Sequence, residues 1–179
     1  MTPADPSRRI AAPVIAGNWK MNNGPSETRD FFDAFLELYG AGQERTVIFF
    51  PPTLSFASAA NAVTARGDIG LGVQNIYWQK AGAFTGEISA AMAAEAGAHY
   101  TLAGHSERRQ LFHESDDDVG RKAAAAIEAG VTPVICVGET LAQREAGALE
   151  AVLARQLDAA LRPIDRQPGF LLAYEPVWA

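Results

Sequence analysis

The sequence predicts an α/β fold built on a parallel sheet, specifically a (β/α)8 barrel with about six of its eight βα units present. Three observations predict it. Short apolar runs alternate with helical patterns along the whole chain, and such alternation implies a parallel sheet covered by helices. The units recur roughly every thirty residues, where a barrel of eight runs to about 250 residues. The 179-residue chain also stops directly after a strand, where a finished open sheet would cover its last strand with a helix. On pattern alone an open doubly wound sheet competes with the barrel.

The elements follow in order. Six runs, at 14–16, 47–50, 69–73, 100–103, 134–137 and 170–174, are rich in β-branched or aromatic residues and bounded by Gly, Pro or Asn; they read as buried strands. Phe31, Phe32, Phe35, Leu36 and Tyr39 share one helix face, with Gly40 as a stop. Residues 54–65 are Ala-rich and amphipathic, and 88–96 read as helix up to Gly97. Asp116, Asp117 and Asp118 decorate the N-terminus of a helix over 119–129 that Gly130 closes. A longer helix is expected over 141–161, before Pro163. One domain spans 1–179, with residues 1–12 as a polar N-terminal extension.

Composition narrows the function. Nearly half the residues are hydrophobic, a fifth are charged and the formal charge is −6. That field does not attract nucleic acid or an anionic membrane, and no basic block is longer than a pair such as Arg108-Arg109. The single cysteine, Cys136, forms no internal disulfide and fits a reducing compartment. The first nine residues lack the apolar core of a signal peptide, so the expected location is cytoplasmic.

In parallel α/β folds the functional groups gather just past the C-terminal ends of the strands. After the first strand come Asn18-Trp19-Lys20-Met21-Asn22; after the fourth, Gly104-His105-Ser106-Glu107-Arg108-Arg109; after the sixth, Glu175-Pro176-Val177-Trp178. A cation, an imidazole and a carboxylate therefore point to one end of one sheet. Of the three histidines, His99 precedes the fourth strand, at the opposite end, and His113 lies in the connection after it. Both read as structural or solvated. Cys136, inside the fifth strand, reads as a small buried residue, and Trp19 and Trp178 as packing residues.

These segments, with Gln74-Asn75, Gly82-Ala83-Phe84-Thr85-Gly86-Glu87 and Pro133-Val134-Ile135-Cys136-Val137-Gly138-Glu139-Thr140, resemble the triosephosphate isomerases in the same order. The resemblance runs from about Pro13 onward. It implies a TIM barrel that interconverts D-glyceraldehyde 3-phosphate and dihydroxyacetone phosphate through an enediolate, in glycolysis and gluconeogenesis, with no metal or organic cofactor. It implies Glu175 as the base and His105 as the electrophile, a pairing of glutamate with neutral histidine for which this family is itself the standard illustration. Lys20 would supply positive charge and, with Asn18, bind substrate. Glu107, Ser106 and Cys136 would support them. The loop carrying Phe84 and Thr85 would insert into a second copy, giving a homodimer.

A lone strand-end carboxylate or lysine is ordinarily just a solvated charge; the three-segment convergence argues otherwise here. Proline after Glu175 restricts it to extended backbone, as a strand exit requires. Ser106-Glu107-Arg108 reads as the start of a short helix, whose N-terminus disfavours an imidazolium at His105. The same scaffold and residues also suit a four-carbon sugar phosphate. His105-Ser106-Glu107 formally matches a zinc-deaminase motif, but the P-C-x-x-C element it needs has no second cysteine. Gly70-Leu71-Gly72 lies within a strand and lacks the third glycine of a dinucleotide site. A non-enzymatic reading takes the polypeptide as a fragment without the phosphate-gripping loops that follow the last barrel strands, aggregation-prone and inactive alone.

Overall fold

The computed structural model describes residues 10–42, 44–164 and 169–178. Among the described residues six strands, β1 (Val14–Asn18), β2 (Thr46–Phe50), β3 (Ile69–Val73), β4 (Tyr100–Ala103), β5 (Thr132–Val137) and β6 (Leu171–Tyr174), form one sheet. All neighbours are parallel, in the sequential order β1-β2-β3-β4-β5-β6. A doubly wound sheet would reverse direction at a switch point. Sequential adjacency throughout is the barrel pattern.

Among the described residues, seven α-helices lie between the strands: α1 (Pro25–Leu38), α2 (Phe56–Ala62), α3 (Ala90–Glu95), α4 (Ser106–Leu111), α5 (Asp116–Glu128), α6 (Leu141–Glu145) and α7 (Leu149–Leu161). Helix α1 starts a turn and a half before its apolar face does. Pro25 occupies its first turn, and the Glu27 carboxylate accepts the Gly24 N–H at 2.8 Å. At α5, the Ser115 hydroxyl accepts the Asp118 N–H while Asp118 accepts the Ser115 N–H, so Ser115 and Asp118 cap the helix and the acidic run forms its first turn, three residues before the expected start at 119. The single helix expected over 141–161 is instead two. Gly147 adopts a φ of 69° between α6 and α7, a left-handed conformation that ends α6.

The strands alternate their side chains between two packed layers. Phe32, Phe56, Ala59, Ala90 and Ala93 cover the outer face of β2 and β3, including Phe49 and Leu71. Val119, Ala123 and Ala160 do the same for Ala103, Ile135 and Val137. The inner face carries Ile48, Phe50, Tyr100, Leu102, Val134 and Cys136, with Leu171 and Ala173 against them. Glycines of β3 make room for this layer. A Cβ on Gly70 would lie 2.6 Å from the Tyr100 ring, and one on Gly72 2.3 Å from Phe50. The glycine pair in β3 therefore serves packing.

Strands β1 and β6 are paired on one side only among the described strands, and Ile15 and Leu172 are half exposed. Of the N-terminal extension expected over 1–12, residues 1–9 lie outside the described residues. Ile10 packs on the inner layer, and Ala11 exchanges two hydrogen bonds with the Thr46 hydroxyl. No described helix is long and apolar enough to cross a membrane.

Candidate active site

Strand β1 delivers Lys20 through a short, constrained turn. Lys20 has a φ of 52°, a left-handed conformation that non-glycine residues seldom adopt without support. That support comes from two amides. The Asn18 Oδ1 accepts the Lys20 N–H at 3.0 Å, and the Gln74 Nε2 donates to the Lys20 and Phe50 carbonyls, both at 2.8 Å. The ammonium then reaches across to Glu107, with Nζ 3.0 Å from Oε1. Both side chains are about half exposed, so this pair orients the lysine more than it stabilises the fold.

Strand β4 ends at Gly104, whose φ of 78° turns the chain sharply. His105 follows as the residue that caps α4. The Glu107 N–H donates to its Nδ1 at 3.3 Å. An Nδ1 that accepts leaves the ring proton on Nε2. That atom lies 3.3 Å from Oε1 of Glu175. The other carboxylate oxygen, Oε2, accepts the Ser106 N–H at 3.3 Å.

Glu175 is held from β6 by its own N–H, which donates to the Val137 carbonyl at 2.8 Å. Behind it runs Gly138, whose ideal Cβ would fall 1.9 Å from the Glu175 carbonyl oxygen. Close approach of the two segments requires glycine there. An imidazole N–H donor and a carboxylate thus face each other at one strand-end rim. A cleft of about 560 Å³ opens beside them, lined among others by Asn18, Gln74, Leu102, His105 and Glu107.

The expected residues divide accordingly. Glu175, His105, Ser106 and Glu107 form one bonded group with Lys20, and Asn18 supports the lysine. Cys136 lies beneath them in the inner layer, its thiol pushed up to about 12 by burial and by the nearby Glu175 charge. Phe84 and Thr85 are not brought to the cleft. They sit on the exposed tip of the loop after β3, where Phe84 packs on Tyr77 with ring centroids 4.5 Å apart. His99 and His113 do not line the cleft.

Several functional contacts emerge only from the structure. Gln74 supports the turn at Lys20, a role that its motif alone does not reveal. Its position just past β3 is the signal that could have pointed to it. Glu139, fully buried just past β5, accepts hydrogen bonds from the Tyr174 hydroxyl and, at 3.0 Å, from Trp178 Nε1. The Trp178 bond, with help from Tyr174 and Arg144, holds that carboxyl below the usual range against the opposing effect of burial. Trp178 is therefore more than a packing residue. Its ring is nearly half exposed, and its N–H anchors the segment after Glu175.

The profile of one family, triosephosphate isomerase, matches residues 13–179. The chain belongs to the triosephosphate isomerase family. It is 45% identical over 169 residues to the triosephosphate isomerase of Solibacter usitatus, covering 93% of this chain and 68% of that protein. It is 46% identical over 172 residues to that of Synechococcus sp. strain JA-2-3B'a(2-13), with the same two coverages. A solved triosephosphate isomerase from Bartonella henselae superposes with a TM-score of 0.83 at 37% identity, covering 93% of this chain and 69% of that one. The chain spans about two thirds of the length of these triosephosphate isomerases. The six strands correspond to a curled part of a TIM barrel.

Proposed function

We propose that this chain carries the acid–base half of a triosephosphate isomerase site, interconverting D-glyceraldehyde 3-phosphate and dihydroxyacetone phosphate in the cytoplasm, in glycolysis. The observation that carries the proposal is the facing pair: His105 Nε2 and a Glu175 carboxylate oxygen 3.3 Å apart at the strand ends. Without substrate the two satisfy each other. A substrate carbonyl would take over the Nε2–H bond and free the carboxylate for the adjacent carbon.

Glu175 then removes the proton from that carbon, and the C–H electron pair forms the C=C bond of the enediolate. The oxygen that gains charge accepts a hydrogen bond from His105 Nε2, and the Lys20 ammonium adds favourable potential. His105 Nε2 gives its proton to the charged oxygen and takes the hydroxyl proton of the other, so a proton also passes between the two oxygens. Returning the carbon proton from Glu175 to the neighbouring carbon then completes the isomerisation. The loop tip at Phe84 and Thr85, exposed here, is the surface offered to a second copy in a homodimer.

The test is a coupled assay of the purified protein on each triose phosphate, with a four-carbon sugar phosphate alongside and the mass in solution measured on the same sample. Turnover of the triose phosphates by a dimer is expected, with Glu175→Gln and His105→Gln each lowering kcat by about 10²- to 10⁴-fold. A folded protein whose Glu175→Gln variant keeps its turnover would overturn the assignment.

A further inference from the structure

Next to the end of β4 lies the most deeply buried ion pair among the described residues. Glu114 and Lys122 are 3% and 4% exposed, with Lys122 Nζ 2.5 Å from Glu114 Oε2. The Arg108 Nε also donates to Oε2, at 2.8 Å. The remaining carboxylate oxygen, Oε1, accepts the N–H of Gly104 at 2.9 Å. The carbonyl of Gly104 is taken as well. It accepts from Arg109 Nε at 2.7 Å, while the same guanidinium donates to the Cys136 carbonyl at 3.2 Å and to Asp116.

Both polar backbone atoms of Gly104 are thus held by charged side chains of low exposure. Gly104 is also the left-handed residue that turns the chain into His105. A Cβ there would meet Arg109 Nη2 and Val119 Cγ2, both at 2.7 Å. Burial pushes the Glu114 carboxyl up, but Lys122 and Arg108 outweigh it and hold the group below the usual carboxylate range. It therefore stays an acceptor for the Gly104 N–H. Lys122 makes one further bond, donating to Asn75 Oδ1 at 2.7 Å. Asn75 begins the loop after β3, and its amide reaches Glu87 at the far end of that loop, at 3.4 Å.

We infer that Glu114 and Arg109 are positioning residues that clamp the Gly104 backbone and so aim the His105 imidazole, with Lys122 tying this clamp to the base of the loop over 75–87. The inference rests on the proposed role of His105 as electrophile. Neither Glu114 nor Lys122 lines the cleft, although their partners Arg108 and Asn75 do; it is the bond to the Gly104 N–H that links Glu114 to the backbone leading into His105. A backbone shift of about 1 Å at such a point lowers turnover roughly 10²-fold.

Two double variants separate aiming from mere stability. Glu114→Leu with Lys122→Met replaces the pair by apolar groups, which folds commonly tolerate, and leaves the Gly104 N–H without its acceptor. Glu114→Gln with Lys122→Met also discharges the pair but keeps a side-chain oxygen for that N–H. The first is expected to lower kcat about 10²-fold with KM within threefold of wild type. The second is expected to recover kcat to within about fivefold. Arg109→Lys, which cannot span both carbonyls, reads the clamp from its other side and is expected to lower kcat without raising KM.

A long-range ¹H–¹⁵N imidazole spectrum gives a readout independent of turnover. His105 signals should move in the Glu114→Leu/Lys122→Met and Arg109→Lys variants and stay in place in Glu114→Gln/Lys122→Met, with His99, before β4, as internal control. Equal kcat and unmoved His105 signals in the folded Glu114→Leu/Lys122→Met and Arg109→Lys variants would overturn the clamp. If wild type turns over no triose phosphate but the His105 signals follow this pattern, the functional reading fails and the clamp stands.

Discussion

Replacing Gly138 by alanine introduces one methyl group at the closest approach in the site. Gly138 has no left-handed φ, so alanine is acceptable to the local backbone and only the contact matters. The new carbon would lie 1.9 Å from the Glu175 carbonyl oxygen and 2.7 Å from its carbonyl carbon. Carbon and carbonyl oxygen rest at about 3.3 Å, so one side must retreat by roughly 1.4 Å. Gly138 is fixed by Gln156, which accepts its N–H at 2.9 Å and donates to its carbonyl at 3.1 Å. Glu175 sits in the segment after β6, held by its single N–H bond to Val137, and that segment yields. The base is then displaced by more than 1 Å from the His105 imidazole, a misplacement that lowers turnover by about 10²-fold or more. Overpacking of this kind destabilises the fold by about 1–3 kcal/mol. Steady-state kinetics with urea unfolding on the same sample checks both numbers. A kcat within threefold of wild type would refute the reasoning, as would a loss confined to KM.

Two further outcomes follow from the ionisable groups. Cys136, with its thiol near 12, holds about 10³-fold less thiolate at pH 8 than a free cysteine. Iodoacetamide labelling followed by mass should therefore proceed only as fast as the protein opens; complete alkylation of the folded protein within minutes contradicts the burial. Asp68 is drawn from the usual 3.8 down to about 2, first by the Arg66 guanidinium that grips both its oxygens and then by the Gly42 N–H. A depressed carboxylate stabilises the fold above its unfolded value, and that contribution fades as pH falls from about 4 toward 2. Urea midpoints measured from pH 6 down to pH 3 should drop less steeply in Asp68→Asn than in wild type, and an equal or steeper drop would remove Asp68 from the acid response.

How much is legible in the sequence shows in particular residues. Strands β3 and β4 emerge from their apolar runs at the same bounds the sequence predicts, because a short run flanked by breakers is a local signal. The first turn of α1 escapes the periodicity because Pro25, Ser26 and Glu27 carry no apolar face; their signal is the proline and the capping glutamate. The break at Gly147 escapes it because the apolar residues on either side suit one continuous helix. Trp178 reads as packing in the sequence because its partner Glu139 lies 39 residues away.

What the sequence by itself determined is the order of βα units and the end of the sheet where Lys20, His105 and Glu175 gather. Both follow from local periodicity and chain direction, which neighbouring residues encode. Only the tertiary structure decided the rest. Sequential pairing of all six strands selected the barrel pattern over the doubly wound sheet. Strand alternation puts the adjacent Phe49 and Phe50 on opposite faces, and the curl of the sheet decided that the Phe50 face is the inner one. It also buried Glu114, Lys122 and Glu139, which by residue type belong on a surface. The counter-charges of Glu114 come from two different helices, Arg108 on α4 and Lys122 on α5, and other partners are far off along the chain, as Asn75 lies 47 residues from Lys122 and Trp178 39 from Glu139. Sequence spacing describes neighbours on one helix or strand, whereas a buried charge is admitted only when separate elements pack so as to bring its counter-charge and donors to it.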